Sequence, residues 1–178
     1  MTARAPKLIP PRDLPAIDPQ TGRLNEVWYD YFLSGIPADK IFGTTTSDSA
    51  AAGYVGELLT AGPADKALTT VTPADVTSLP LPPGDYDLFA PIHFLGLAAT
   101  TTTEIEASIS ETSATQDHTT GRHGHWRGPA HADMHLTLLL GPVHVSIATA
   151  KTYYLVAEAA FAVSTYKANG LLYARRVR

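Results

Sequence analysis

Between Leu81 and Phe94 the chain reads LPPGDYDLFAPIHF. A Pro-Pro-Gly-Asp turn leads into a segment where Tyr86, Leu88, Ala90, Ile92 and Phe94 alternate with Asp85, Asp87, Phe89, Pro91 and His93. Alternation with a period of two after a Pro/Gly turn specifies a strand with one dry and one wet face. The pattern returns downstream. In Thr101–Thr112, Ile105, Ala107 and Ile109 oppose Glu104, Glu106, Ser108 and Ser110; in Thr152–Val163, Tyr153, Leu155, Ala157, Ala159 and Phe161 share a side. Ala132–Leu140 and Val143–Ala148 read as a hairpin across Gly141-Pro142, and Leu171–Val177 as the closing strand. Upstream, Tyr54–Thr60, Ala67–Thr72 and Asp75–Leu81 supply three more. The last turn fits either Ser164-Thr165 or Asn169-Gly170, since Asn-Gly favours a tight hairpin while a glycine inside a strand also marks a bulge. Eight or nine short strands, with no helical window after Leu33, predict a mainly β fold: an antiparallel β-sandwich or jelly roll.

Composition narrows the class further. Hydrophobic residues make up 44% of the 178 and charged residues only 17%. Thr, Ser and Ala take up the difference, which suits sheet faces and packed interfaces. The net charge of −4 is dispersed, and without a basic cluster nothing tracks a phosphate backbone, so nucleic acid is not an expected partner. The absence of cysteine removes disulfides, thiolate metal sites and thiol catalysis. No apolar run reaches bilayer-spanning length, and Pro6, Pro10, Pro11, Pro15 and Pro19 interrupt any secretory signal. The expectation is a protein made in the cytoplasm, without a membrane partner.

The first fifty residues differ in kind. Met1–Pro19 is proline-rich, hence extended and unable to bury itself. Asp18-Pro-Gln-Thr-Gly22 is turn chemistry, and Asn25 with Glu26 in the first turn caps a short helix through about Leu33. Two helical turns are unstable alone. Trp28, Tyr29, Tyr31 and Phe32 must therefore pack on something, either the chain's own domain or another protein. Ile36–Ala52, rich in Gly, Thr, Ser and Ala, reads as a linker. The expected organisation is a docking arm with one short helix over 1–35, a linker over 36–52 and a β-sandwich over 53–178.

The DPQTG-LN-x-x-WYxYF pattern over Asp18–Phe32 resembles the N-terminal segment of many tailed-bacteriophage virion proteins, where it precedes a fibre-like or decorating domain. From Tyr54 to Arg178, the order GYVGELLTA, VTSLPLPPGDYDLFAPIHF, EIEASISETSAT, GPVHVSIATAKTYYLVAEAAFAVST and LLYARRVR is similar to a β-sandwich recurrent in phage head fibres, tail fibres and decoration proteins, commonly trimeric. The resemblance implies a non-enzymatic structural role in the virion. Trp28, Tyr29, Tyr31 and Phe32 would be docking anchors on capsid or tail proteins, and the short length, with no shaft after the anchor, favours a trimeric capsid decoration or head fibre over a tail fibre or adaptor. The run His135-Leu-Thr-Leu-Leu-Leu140 asks for cover on both faces of a strand, which a closed ring of identical subunits supplies.

Five of the seven histidines, His118, His123, His125, His131 and His135, fall in or just after Ser113–Ala130, which reads as a long polar loop. His118, Arg122, His123, His125 and Trp126 are the candidate ligand contacts of this variable surface. With Asp117 they compose the rival reading, a lectin-like module that stacks host sugar on Trp126. His123-Gly-His125 resembles the His-x-His pairs that hold a metal on the threefold axis of some phage spikes. Arg122 and Arg127 flank the pair and disfavour a cation, so no metal or other cofactor is assigned, and His123 and His125 are the residues to watch. The carboxylate pairs Asp85/Asp87 and Glu104/Glu106 read as ordinary wet strand faces. Arg175, Arg176 and Arg178 read as solvated. No nucleophile–base arrangement or phosphate loop is present, and the chain reads as no enzyme.

Overall fold

A computed structural model of the chain describes residues 13–29, 50–97 and 99–178. The chain divides into two units, Met1–Asp48 and Ser49–Arg178. In the first, the Asp18 carboxylate accepts the Gln20 amide at 2.8 Å, the Gly22 amide donates to the Asp18 carbonyl at 2.8 Å, and Ile17 bridges Leu24. This turn delivers Asn25, whose side-chain oxygen accepts the Val27 amide at 3.1 Å and caps a helical turn over 26–29. The cap and turn chemistry of the sequence thus operate as expected.

The second unit holds eight strands: β1 (Leu58–Leu68), β2 (Ala74–Leu81), β3 (Gly84–Gly96), β4 (Thr101–Ser110), β5 (His123–Ala132), β6 (His135–Ile147), β7 (Lys151–Ala162) and β8 (Tyr166–Arg176). They form two antiparallel four-stranded sheets, ordered β1-β8-β3-β6 and β2-β7-β4-β5. Successive strands mostly change sheet, and this order is that of an eight-stranded jelly roll. The alternation in β3 does what its pattern demands: Tyr86, Leu88, Ala90, Ile92 and Phe94 are fully buried between the sheets. They meet Ile105, Ala107 and Ile109 of β4, Leu155 of β7 and Leu172 of β8 in one core. Prolines sit on edge strands, as missing N–H groups require. Pro91 on central β3 is the exception, and there the β3–β8 register stops at Phe89↔Tyr173 and resumes unchanged at Ile92↔Gly170.

Three sequence expectations are corrected, and the open alternative for the last turn is decided. Ala132–Leu140 and Val143–Ala148 are not a hairpin: they are the two halves of β6, both paired to β3, with Gly141-Pro142 absorbed where the register shifts between Leu88 and Ala90. Gly141 lies against the Leu88 carbonyl at φ 89°, which is bulge geometry. Tyr54–Thr60 and Ala67–Thr72 likewise give way to one strand, β1, that shifts register between Ala61 and Ala64 and keeps pairing with β8. The last turn lies over 163–165, and Asn169-Gly170 is mid-strand in β8. There a Cβ on Gly170 would fall inside the Leu155 side chain. Arg176 is buried, not solvated: its Nε donates to Glu57 Oε2 at 2.9 Å. Among the described residues no helix is long and apolar enough to cross a membrane.

Candidate functional site

The outer face of the β2-β7-β4-β5 sheet carries the chemistry. On β4, Glu104, Glu106, Ser108 and Ser110 point away from the core side chains Ile105, Ala107 and Ile109. The expected loop Ser113–Ala130 is only half a loop, because His123–Ala132 forms β5 and pairs along β4. Its cause is visible in the residues. His123, His125 and Arg127 alternate with Gly124, Trp126 and Gly128, the period of a strand, and Gly124 lies close under Leu138 and Leu140 of the opposite sheet. As an edge strand, β5 needs only one partner, and polar side chains plus Pro129 suit that position. Trp126 consequently turns inward against the core instead of standing at a loop tip. The sugar-stacking platform of the lectin reading loses its aromatic ring.

Residues 111–122 fold back over the same outer face. Ser108 Oγ donates to Gln116 Oε1 at 2.6 Å and accepts the Asp117 amide at 3.0 Å, and the Ile109 amide donates to the Arg122 carbonyl at 2.9 Å. Asp75 on β2 accepts the Ser113 hydroxyl and, at 2.7 Å, the Ala114 amide. This cover explains why Ser108 and Val156, both on an outward side, are fully buried. Arg122 bonds Glu111 and Asp117, each at 3.1 Å, and Lys151 also pairs with Glu111. The Lys151 ammonium, helped by Arg122, holds the Glu111 carboxyl below its ordinary range. Burial would raise Asp117, but the Thr119 hydroxyl and amide and Arg122 outweigh it and lower it. Burial next to Glu111 pushes the Tyr153 phenol up to about 12.

Beside this anchored turn, three histidines and three carboxylates gather. His118 returns from the loop so that its Nδ1 lies 3.3 Å from Glu106 Oε1, and His123 Nε2 lies 3.0 Å from the same oxygen. His125, opposite Glu106 in the ladder, bonds Glu104 Oε1 at 2.7 Å instead. Glu158 of β7 pairs with Glu106 across the other ladder. Burial, followed by repulsion from Glu106 and Glu104, raises the Glu158 carboxyl. The rings form a column: His118 and His123 have centroids 4.8 Å apart, His123 and His125 6.0 Å.

Of the residues singled out in the sequence, the structure brings His118, His123 and His125 together, leaves Arg122 as the loop's ionic anchor, and removes Trp126 to the core side. Glu104 and Glu106, a plain wet strand face by their spacing, are members of the cluster. Glu158 and Gln116 carried no signal at all. One clue was present: Glu-x-Glu and His-x-His share the two-residue period, which places them on facing sides of neighbouring strands. In the first unit, the Trp28 indole N–H donates to the Leu14 carbonyl at 3.0 Å and Tyr29 remains 52% exposed. Tyr31 and Phe32 lie outside the described residues.

A second surface stands on the other sheet. Phe89, Pro91, Leu139, Leu171 and Tyr173 all point outward, with Phe89 opposite Tyr173 and Pro91 opposite Leu139. Leu139 is 79% exposed and Phe89 38%. Polar groups flank them, including the His93–Thr137 bond at 2.9 Å and the Asp87–His144 pair at 3.0 Å. An apolar centre with a polar margin is the anatomy of a protein interface. Comparison with protein-family models found no match, and comparison with curated proteins found none either.

Proposed function

We propose that this chain is a non-enzymatic structural protein of a tailed-phage virion, a trimeric capsid decoration or head-fibre protein held to the particle by its N-terminal arm. The observation that carries the reading is the apolar stripe Phe89–Pro91–Leu139–Leu171–Tyr173 on an otherwise complete jelly roll. A jelly roll is an architecture of viral capsid and lectin domains, and as a fold-level analogy it supports the reading without fixing it. The stripe adds a site-level argument. Leu139 and Phe89 are exposed and Pro91, Leu171 and Tyr173 half-buried in a single copy, and a ring of copies would cover them. The arm adds the attachment: Trp28 and Tyr29 sit on a capped helical turn whose own contacts leave Tyr29 and Val27 about half exposed.

The histidine–carboxylate face lies on the opposite sheet from the stripe, so trimerisation through the stripe leaves it on the outside of each subunit. Deleting residues 1–35 is expected to leave a folded trimer that no longer joins virions. Incorporation of the truncated protein at the full-length level overturns the arm as anchor. A tail-fibre or adaptor role predicts the same loss of incorporation but places the density on the tail in a low-resolution map of the particle. Strong binding on a glycan array, lost in a folded His118→Ala or Asp117→Ala variant, would instead support the host-ligand reading.

A further inference from the structure

We infer that Glu106, His118 and His123 form a divalent-metal site that clips the 111–122 loop to the outer face of β4 and β5. Three observations converge. First, the donor atoms of these residues all lie within 4.8 Å of one another, with Glu106 Oε1 at 3.3 Å from one ring nitrogen and 3.0 Å from the other. A tetrahedral zinc with ligand bonds of roughly 2.0–2.2 Å separates its donors by about 3.3–3.5 Å. Glu106 Oε1 already stands near this spacing from both ring nitrogens, and the two nitrogens, within 4.8 Å of each other, close on a metal by movement of the exposed His118 side chain over about an ångström.

Second, the inner two atoms lack an ordinary bond. Glu106 Oε1 and His123 Nε2 are both buried and neither makes a hydrogen bond, although they face each other. The ring N–H is not aimed along the line to the oxygen, so the contact is a close approach of two polar atoms without the bond that would justify burying them. A cation between them satisfies both lone pairs at once. Third, the electrostatics favour a cation. Glu106 and Glu158 are directly opposed in the β4–β7 ladder, with Glu104 on the same face. Like charges in that position destabilise a sheet. Of the two arginines that flank the sequence motif, Arg122 is neutralised by Glu111 and Asp117, and Arg127 approaches Glu104 only to 3.9 Å.

The donor set selects the ion. Two imidazole nitrogens and one carboxylate oxygen suit zinc or its transition-metal neighbours and not calcium or magnesium, which take oxygen ligands. His125, bonded to Glu104, and Gln116, whose Nε2 is also buried without a partner, stand beside the three ligands. The clip has a mechanical consequence. His118 is 68% exposed and reaches the sheet through Glu106 and an edge-on contact with the His123 ring, so a metal held by these same three side chains ties the loop down.

The test uses the full chain, stripped with a chelator and titrated with zinc by calorimetry and with cobalt by visible absorption. One ion per chain is expected, with the intense d–d bands of a tetrahedral site. His118→Ala, His123→Ala and Glu106→Gln should each weaken binding at least tenfold, while His131→Ala, outside the cluster, leaves it unchanged. Circular dichroism checks that each variant is folded. Zinc should also slow amide hydrogen exchange over 117–122 in the parent chain and not in His118→Ala. Absence of stoichiometric uptake, or equal uptake by all four variants, overturns the site. Uptake without slower exchange overturns the clip.

Discussion

Arg176→Met tests the most consequential buried contact in the sandwich. Arg176 Nε donates to Glu57 at 2.9 Å, Nη1 to the Pro83 carbonyl at 3.1 Å and Nη2 to the Tyr86 hydroxyl, while its guanidinium lies 4.6 Å from the Tyr86 ring centre. Backbone bonds from Gly56 to Arg176 and from Arg176 to Glu57 close the same knot. It fastens the first residues of the sandwich to the last strand and to the turn before β3. Methionine keeps most of the aliphatic volume and removes the charge, leaving Glu57 with one bond, from the Gly53 amide at 2.9 Å. Removing one partner of a buried pair costs about 3–5 kcal/mol. For a unit the size of Ser49–Arg178, that lowers the melting temperature by about 9–20 °C.

The assay is thermal unfolding by circular dichroism, repeated across pH. In the parent chain, Arg176 and then the Gly53 amide hold the Glu57 carboxyl below its ordinary value. A depressed folded value means stability that is present above the ordinary carboxylate range and lost as pH falls through the folded value. Without Arg176 the sign reverses, because a buried carboxylate without a cation prefers its proton. The deficit of Arg176→Met should therefore be largest at neutral pH and shrink in acid. Adding Glu57→Leu should recover most of the loss, since an apolar pair of similar volume is tolerated where a lone charge is not. A loss under about 1 kcal/mol at neutral pH, the scale of an exposed pair, or a deficit that grows in acid would refute the reasoning.

Other perturbations probe different links. Gly170→Ala drives a Cβ into Leu155 and against Val76 Cγ1 at 3.1 Å, and denaturant unfolding should show a loss of about 1–3 kcal/mol from overpacking. Position 163, 82% exposed at φ 85° in the β7–β8 turn, holds a β-branched residue in left-handed backbone; Val163→Gly should raise the unfolding free energy by about 1 kcal/mol. Leu139, 79% exposed, makes no core contact, so Leu139→Asp should leave the fold of the single chain intact while shifting the sedimentation profile away from the proposed trimer toward monomer. Tyr153→Phe should remove a stability loss that the parent shows as pH rises from the ordinary phenol value through about 12, because a raised folded value contributes stability only below that window.

The parts legible in the sequence and the parts hidden from it divide along a physical line. Where one strand face is dry and the other wet, as in β3, β4 and β7, the residues announce both the element and its inward set. Bulges defeat that reading, because a bulge looks like a turn to the sequence: Gly62-Pro63 and Gly141-Pro142 carry turn residues, yet the chain on both sides pairs with the same neighbour. Only the partner strand distinguishes the two, and the partner is distant in sequence. Edge strand β5 was hidden for a related reason. Its inward positions are Gly124, Trp126 and Gly128, two of which contribute no hydrophobic side chain, so its dry face is supplied by Leu138 and Leu140 across the core.

The same line runs through the candidate site. Glu106 and His118 are twelve residues apart, and what joins them is a loop held by Ser108, Gln116 and Asp75, none of which advertises a site. Metal-ligand spacing in sequence is informative when the ligands share an element, as in His123-Gly-His125. Here consecutive outward positions on one strand face different neighbours: His123 leans to Glu106 while His125 turns to Glu104. The ligand set follows the ladder and the returning loop. A substitution at Asp75, remote from every donor, is therefore expected to weaken zinc binding by releasing Ser113 and Ala114 and with them the approach of His118. If Asp75→Ala instead binds zinc as tightly as the parent chain, the position of His118 is fixed by the Ser108–Gln116–Asp117 contacts alone.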